Sequence, residues 1–218
     1  MSTQKIIKVG AFRELSPGEC RILFLRHEEH TNDITSTEGL QRLFRLGQTC
    51  QNAGLTVESA YSSPADRCLT AVLAVKCGMG CAKYTQIDRR LAPMEFSEPE
   101  RVTELKKEAT KAGMSVHEYV FHLIETDTDF KSEMFMKRGE EGARALSEIA
   151  SEHAGESVLV GSHSATKMEV TIATLKGDPH LNNVPPIKTG QIVELILKLD
   201  DATELKVELV ECNYLSIA

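Results

Sequence analysis

The chain has 218 residues, enough for one α/β domain with a well-buried core, or for one with a small elaboration. A net charge of −7, no tryptophan and 5% aromatic residues argue against a general nucleic-acid binder and against stacking on bases or sugars. The 41% hydrophobic content is ordinary for a soluble globular chain, and no apolar run approaches the ~20 residues that cross a bilayer. The opening MSTQKIIKVG has no long apolar region, so a cytoplasmic protein without membrane contact is expected. Cys20, Cys50, Cys68, Cys77, Cys81 and Cys212 contain no CxxC pair, which points to reduced, largely buried thiols.

In chain order, KIIKVGAF near the start is compatible with an edge strand or with a segment packed across the surface. RILFLR (21–26) reads as a short buried strand ending in charge. TSTEGLQRLFRLGQTCQNAG reads as a helix, with Thr35 and Glu38 at capping-box spacing, Leu40, Leu43, Phe44 and Gly47 on one face, and Gly54 as its stop. VESAYSS (57–63) is a second strand. Ser63–Pro64 has the form of an N-cap with proline at the first helical position, and Cys68, Leu69, Val72, Leu73 and Val75 carry that helix to Gly78. Residues 83–88 form a third short strand. The polar stretch 98–153 reads as helices over 99–112, 115–126 and 131–153. SVLVG (157–161) is another buried strand, followed by a helix over 164–176. QIVELILKL (191–199) and LKVELVE (205–211) read as an antiparallel pair around DDATE.

Strands alternating with amphipathic helices imply a three-layer α/β/α fold, with a mostly parallel sheet and an antiparallel edge. Residues 1–218 form a single domain in this reading, and 98–140 a helical insertion or cap within it. Ligands bind such sheets beyond the carboxyl ends of the strands. That rule selects three stretches: Arg26, His27, His30, Thr31 and Asn32; then Ser62, Ser63 and Arg67; then Ser162, His163 and Ser164. Two arginines and two or three histidines thus converge beside helix N-termini, where unpaired N–H groups favour anions. Arginine forks match phosphate oxygens, and an imidazole is able to act as a covalent nucleophile. HEEH at 27–30 is not the HExxH spacing of a zinc site, so no metal and no other cofactor is expected. A strand-end histidine alone is more often structural; His27 rises above that reading because Arg26, Arg67 and His163 occupy the other strand ends.

LFLRHEEHTND, TSTEGLQRLFRLG, AYSSPADRCLTA and VLVGSHSATKMEV, in that order, resemble the histidine phosphatase superfamily, also called phosphoglycerate-mutase-like. The resemblance runs from about residue 21 to 199. It implies that His27 is the nucleophile that becomes phosphohistidine, that Arg26 and Arg67 bind phosphate, and that His163 hydrogen-bonds the transferring group. His30 and Asn32 fall near positions that often line the pocket, although the R-H-G-x-T-x-x-N register places Asp33 at the asparagine position. Related enzymes use a glutamate as general acid between the SSP motif and the inserted helices. Glu95 in RRLAPMEFSEPE is the candidate, with Glu98 and Asp88 as alternatives. His117, His122, His153 and His180 read as surface or packing residues.

The resemblance implies hydrolysis of a phosphorylated small molecule or phosphoprotein through phosphohistidine. The alternatives are a weak or inactive relative that binds phosphorylated ligands, and a mutase-type phosphotransferase. Glu28 keeps the inactive alternative open, because it stands where the family has glycine, giving RHE for RHG. A carboxylate ~4 Å from a phosphate costs about 1 kcal/mol in water and several at lower dielectric. It does little harm if it faces solvent or pairs with an arginine.

Overall fold

The computed structural model describes residues 6–8, 12–28, 30–31, 33–164, 166–178, 181–199 and 207–216. The central strand β2 (Glu19–Arg26) follows the short β1 (Ile6–Lys8) and is buried along its length until it emerges at Arg26. A two-residue ribbon follows, β3 (His30–Thr31) against β4 (Ile34–Thr35). Then come α1 (Thr37–Asn52), β5 (Ser59–Ser62), α2 (Asp66–Gly78) and β6 (Thr85–Ile87). The stretch expected to be helical holds α3 (Met94–Ser97), α4 (Pro99–Lys111), α5 (Val116–Thr126) and α6 (Thr128–Glu133). A π-helical segment, Met134–Gly139, leads into α7 (Glu140–Glu152). β7 (Ser157–Ser162), α8 (Met168–Leu175), β8 (Ile192–Leu199) and β9 (Val207–Ser216) complete the order.

The main sheet runs β1-β9-β8-β2-β7-β5-β6. β2, β7, β5 and β6 are mutually parallel, whereas β8 is antiparallel to both β2 and β9. This is the expected mostly parallel sheet with antiparallel pairing at one side. KIIKVGAF contributes β1, which adds to β9 at the edge. The DDATE turn lies outside the described residues.

Alternation along β2 divides the core in two. Cys20, Ile22 and Phe24 pack in one cluster with Val120, Ile124, Met134, Leu146, Met168 and Ile172. Leu23 and Leu25 pack in the other with Leu43, Leu46, Val72 and Val75 of α1 and α2. The period-2 geometry of a strand buried on both faces therefore builds the three layers. The first cluster takes in Leu105, Val120, Ile124 and Phe130, so α4 to α6 share apolar packing with the sheet. No helix among the described residues is long and apolar enough to cross a membrane.

Two local expectations are corrected. The cap of α1 is Ser36, whose Oγ accepts the Gly39 N–H at 3.0 Å, not a Thr35/Glu38 box; the buried face is Leu43, Leu46, Gly47 and Cys50, while Phe44 is exposed. Ser63 does not cap α2 either. The helix begins at Asp66 after Ala65, and Ser63 Oγ sits 2.7 Å from His163 Nε2. The Ser63 Oγ also accepts the Ala65 N–H at 3.2 Å, a turn contact ahead of the helix.

α1 and α2 cross backbone to backbone. A Cβ at Gly47 would lie 2.1 Å from the Val75 carbonyl oxygen, and one at Gly78 2.0 Å from the Phe44 carbonyl oxygen. Neither neighbour is a side chain able to swing away. Gly47→Ala or Gly78→Ala is expected to destabilise the protein by about 1–3 kcal/mol, as overpacking does, read from the urea midpoint. An unchanged midpoint would refute this close crossing.

Candidate active site

The carboxyl ends of β2, β5 and β7 bring together the residues the sequence singled out. A 220 Å³ cavity is lined at its floor by Arg26, His27, His30, Arg67 and His163. The His27 ring lies 5.0 Å from that of His163 and 5.1 Å from that of His30, centroid to centroid. His27 and His163 are buried, whereas His30 is exposed.

The tautomer of His27 follows from its partner. Nδ1 lies 2.7 Å from the backbone carbonyl oxygen of Glu28. A carbonyl only accepts, so Nδ1 carries the proton and Nε2 keeps its lone pair. Burial pushes the imidazole down to about 4 despite that hydrogen bond, and Arg67 acts in the same direction. His27 is therefore a neutral base with one nitrogen fixed.

The same logic assigns His163. Its Nδ1 faces Arg67 Nη2 at 3.5 Å, and a guanidinium only donates, so Nε2 carries the proton and donates to Ser63 Oγ. Burial first, then the charge of its neighbours, holds His163 well below the ordinary imidazole range.

Carboxylates hold the arginines in place. Arg67 Nη1 donates to Asp33 Oδ1, while Asp33 Oδ2 accepts the Asp66 N–H at 3.2 Å. Asp33 has a positive φ of 66°, a conformation that aspartate and asparagine tolerate better than most residues. Arg26 Nη1 donates to the Ile187 carbonyl. The Ile187 N–H in turn donates to Glu169 Oε1 at 2.9 Å, and Ser164 Oγ donates to the same oxygen. Glu169 is fully buried, and burial raises its pKa. Asp33 and Glu169 thus steady the two arginines through contacts that only the fold reveals.

Glu28 is buried, yet it does not line the cavity. Its two carboxylate oxygens accept from Arg42 Nε and Nη2, each at 3.0 Å. The carboxylate fills the space beside Gly190: a Cβ there would lie 2.3 Å from Glu28 Oε1. The Gly190 N–H donates to the His27 carbonyl at 3.2 Å. The RHE departure is met by Arg42, an arginine on α1.

Asn32 lies outside the described residues. Glu95 belongs to α3 beside Met94, which lines the cavity, but its side chain is outside the described part. The two alternatives for the acid are engaged elsewhere. Glu98 accepts from Lys137 Nζ and Arg138 Nη2, both at 2.7 Å, and these keep its pKa below the usual carboxylate range. Asp88 is held by Arg90 at 2.8 Å and borders a different depression, with Tyr61 and Glu148. Ser62 is buried and donates to the Ser63 carbonyl, a turn role. His117, read from the sequence as a surface or packing residue, and Lys106, which the sequence did not single out, line the cavity because α4 and α5 fold over it. Their spacing carried no signal, since helix docking decides what they face. Among the described residues no group of three or more histidine, cysteine, aspartate or glutamate residues is arranged to hold a metal ion.

The model of the histidine phosphatase superfamily (branch 1) matches residues 26–208. The chain belongs to that superfamily. No curated protein matches its sequence. Among solved structures it is similar to a phosphoglycerate mutase from Bacillus anthracis str. Sterne, at 15% identity over 89% of this chain and 93% of that one, with a TM-score of 0.60. It is also similar to a phosphoserine phosphatase mutant from Entamoeba histolytica in complex with phosphoserine, at 14% identity over 89% and 96%, TM-score 0.55. The protein histidine phosphatase SixA complexed with tungstate matches at 14% identity over 89% and 96%, TM-score 0.54. At these identities the likeness establishes the fold, and members of this superfamily act as phosphatases or phosphotransferases by way of a histidine.

Two outcomes follow for the histidine phosphatase pocket. Arg42→Ala strands the buried Glu28 carboxylate and is expected to cost about 1–3 kcal/mol, with Glu28→Gly in the same chain recovering most of it. A double variant no more stable than Arg42→Ala would disprove the pairing. The second concerns pH. His27 and His117 are each pushed down to about 4, His117 by burial and then by Arg26, and burial also holds His163 well below the ordinary imidazole range. Their folded pKa values lie below the unfolded value near 6.5, so the unfolded chain binds more protons between about pH 4 and 6.5. Stability is complete above that window and falls as the pH is lowered through it. The urea midpoint should drop between about pH 7 and 5, and a flat midpoint would contradict buried neutral imidazoles.

Proposed function

We propose that this protein is a metal-independent phosphatase that hydrolyses phosphate esters through a phosphohistidine on His27. The observation that carries the reading is the 2.7 Å contact from His27 Nδ1 to the Glu28 carbonyl, which leaves Nε2 unprotonated among Arg26, Arg67 and His163. Nε2 attacks phosphorus, a P–N bond forms, and the P–O bond to the alcohol breaks. Arg26 and Arg67 neutralise the equatorial oxygens, which is most of what phosphoryl transfer asks of a protein. A bound phosphate dianion also favours protonation of the His163 Nδ1 that faces Arg67, turning it into a donor. Glu95 supplies the proton to the leaving oxygen. Water then attacks phosphorus, the P–N bond breaks, a proton returns to Glu95, and phosphate leaves.

The ion pair with Arg42 supports an active pocket, since it turns the Glu28 carboxylate away from the phosphate place. Two similar structures, one in complex with phosphoserine and one with tungstate, are in keeping with a phosphoryl site. Substrates are accordingly phosphorylated small molecules or phosphoproteins.

The test is p-nitrophenyl phosphate hydrolysis in the presence of a chelator. Wild type is expected to turn over and to trap acid-labile phosphate on His27, and His27→Ala to lose at least about 10³-fold in kcat, as loss of a nucleophile does. Equal rates, or none in either, would sink the reading. Glu95→Gln should slow an alkyl phosphate more than the nitrophenyl ester, whose leaving group needs little protonation. Glu28→Gly should turn over no faster than wild type; a faster variant would identify the carboxylate as a brake.

A further inference from the structure

The cavity has two chemically different ends. Its floor carries the arginines and imidazoles. Its opposite wall is Pro93, Met94, Val102, Leu105, Val116 and Val120, contributed by the turn into α3 and by the facing sides of α4 and α5. Pro93, Met94, Leu105 and Val120 are buried even with the cavity empty, and Val102 and Val116 are half-buried. Lys106 is exposed, and His117 is the one imidazole that α5 adds to the lining. Among the described residues, no side chain lining the cavity is a carboxylate, and the only hydroxyls belong to Ser164 and Thr166, close in the chain to His163.

From this juxtaposition, and resting on the phosphatase reading, we infer that the substrate is a small phosphate monoester whose alcohol portion is apolar and compact. A phosphate dianion has its partners on the floor. Beyond it the ester group meets valine, leucine and methionine side chains, which hold no hydrogen-bond partners for hydroxyls. Against those six side chains a sugar would strip water from its hydroxyls with nothing there to replace it, Lys106 and His117 being the polar lining that α4 and α5 add, whereas an alkyl or aryl group would exchange water for van der Waals contact. The volume of 220 Å³ is small for a ligand site and limits the ester group further. A folded phosphoprotein would have to reach His27 beneath α4 and α5. Hydrolysis consumes one water and yields inorganic phosphate and the free apolar alcohol.

The experiment compares n-butyl phosphate with glycerol 1-phosphate and 3-phosphoglycerate. The first two have primary-alcohol leaving groups, so their difference reports the wall and not the chemistry. kcat/KM is expected to favour n-butyl phosphate by about tenfold or more, the usual worth of fitting an apolar group into an apolar pocket. Val102→Asp and, as a milder variant that keeps the side-chain shape, Val102→Thr should both shrink that ratio, the aspartate more. Acetyl phosphate, which lacks an apolar ester group, separates the two readings by labelling His27. Labelling together with equal or better use of glycerol 1-phosphate, 3-phosphoglycerate or a phosphohistidine peptide would overturn the apolar-substrate inference and leave the phosphatase standing. Labelling with a ratio unmoved in both Val102 variants would overturn it as well. No labelling and no hydrolysis of any ester would overturn the phosphatase reading, and this inference with it.

Discussion

One backbone oxygen governs what this pocket is able to do. The Glu28 carbonyl, 2.7 Å from His27 Nδ1, decides which nitrogen of the buried imidazole holds the proton. An unrestrained ring would exchange tautomers and expose a donor as often as a lone pair. The carbonyl's position is itself secured on both sides. The Glu28 side chain is clamped by Arg42, and the Gly190 N–H holds the His27 carbonyl. The strand end that carries His27 is thus tied to α1 and to the loop before β8, and the remaining charged groups are arranged around that fixed ring.

The pocket gathers two guanidinium groups at partly buried positions, where unpaired charge is costly. The structure offsets that cost with nearby acceptors. Asp33 accepts from Arg67, and the Ile187 carbonyl accepts from Arg26, backed by Glu169. The histidines contribute by remaining neutral, so they add no further positive charge.

Much of this was legible in the sequence, and the reasons differ by element. RILFLR and SVLVG are short apolar runs ended by charge, so their strand identity and the chemistry at their ends could be read together. Arg26, His27, Arg67 and His163 meet because parallel strands align their carboxyl ends, a rule that needs no side-chain detail. The second tier was not legible. Asp33 reaches Arg67 through a left-handed turn, Glu169 reaches Ile187 from one buried helix face, and Lys106 and His117 face the cavity only because α4 and α5 dock as they do. Ser63 looked like a helix cap because capping is a local rule, but the helix starts only at Asp66 and the hydroxyl also meets His163, a hundred residues away in the chain.

The packing of Glu28 against Gly190 has a consequence for how such a site is able to change. Glu28, Arg42 and Gly190 occupy one shared volume and one shared charge balance, although they lie on three separate segments. A side chain at 190 is incompatible with the glutamate as it sits, and the glutamate without the arginine is a buried charge. A change at any one of the three positions is therefore constrained by the other two, and burial sets that constraint.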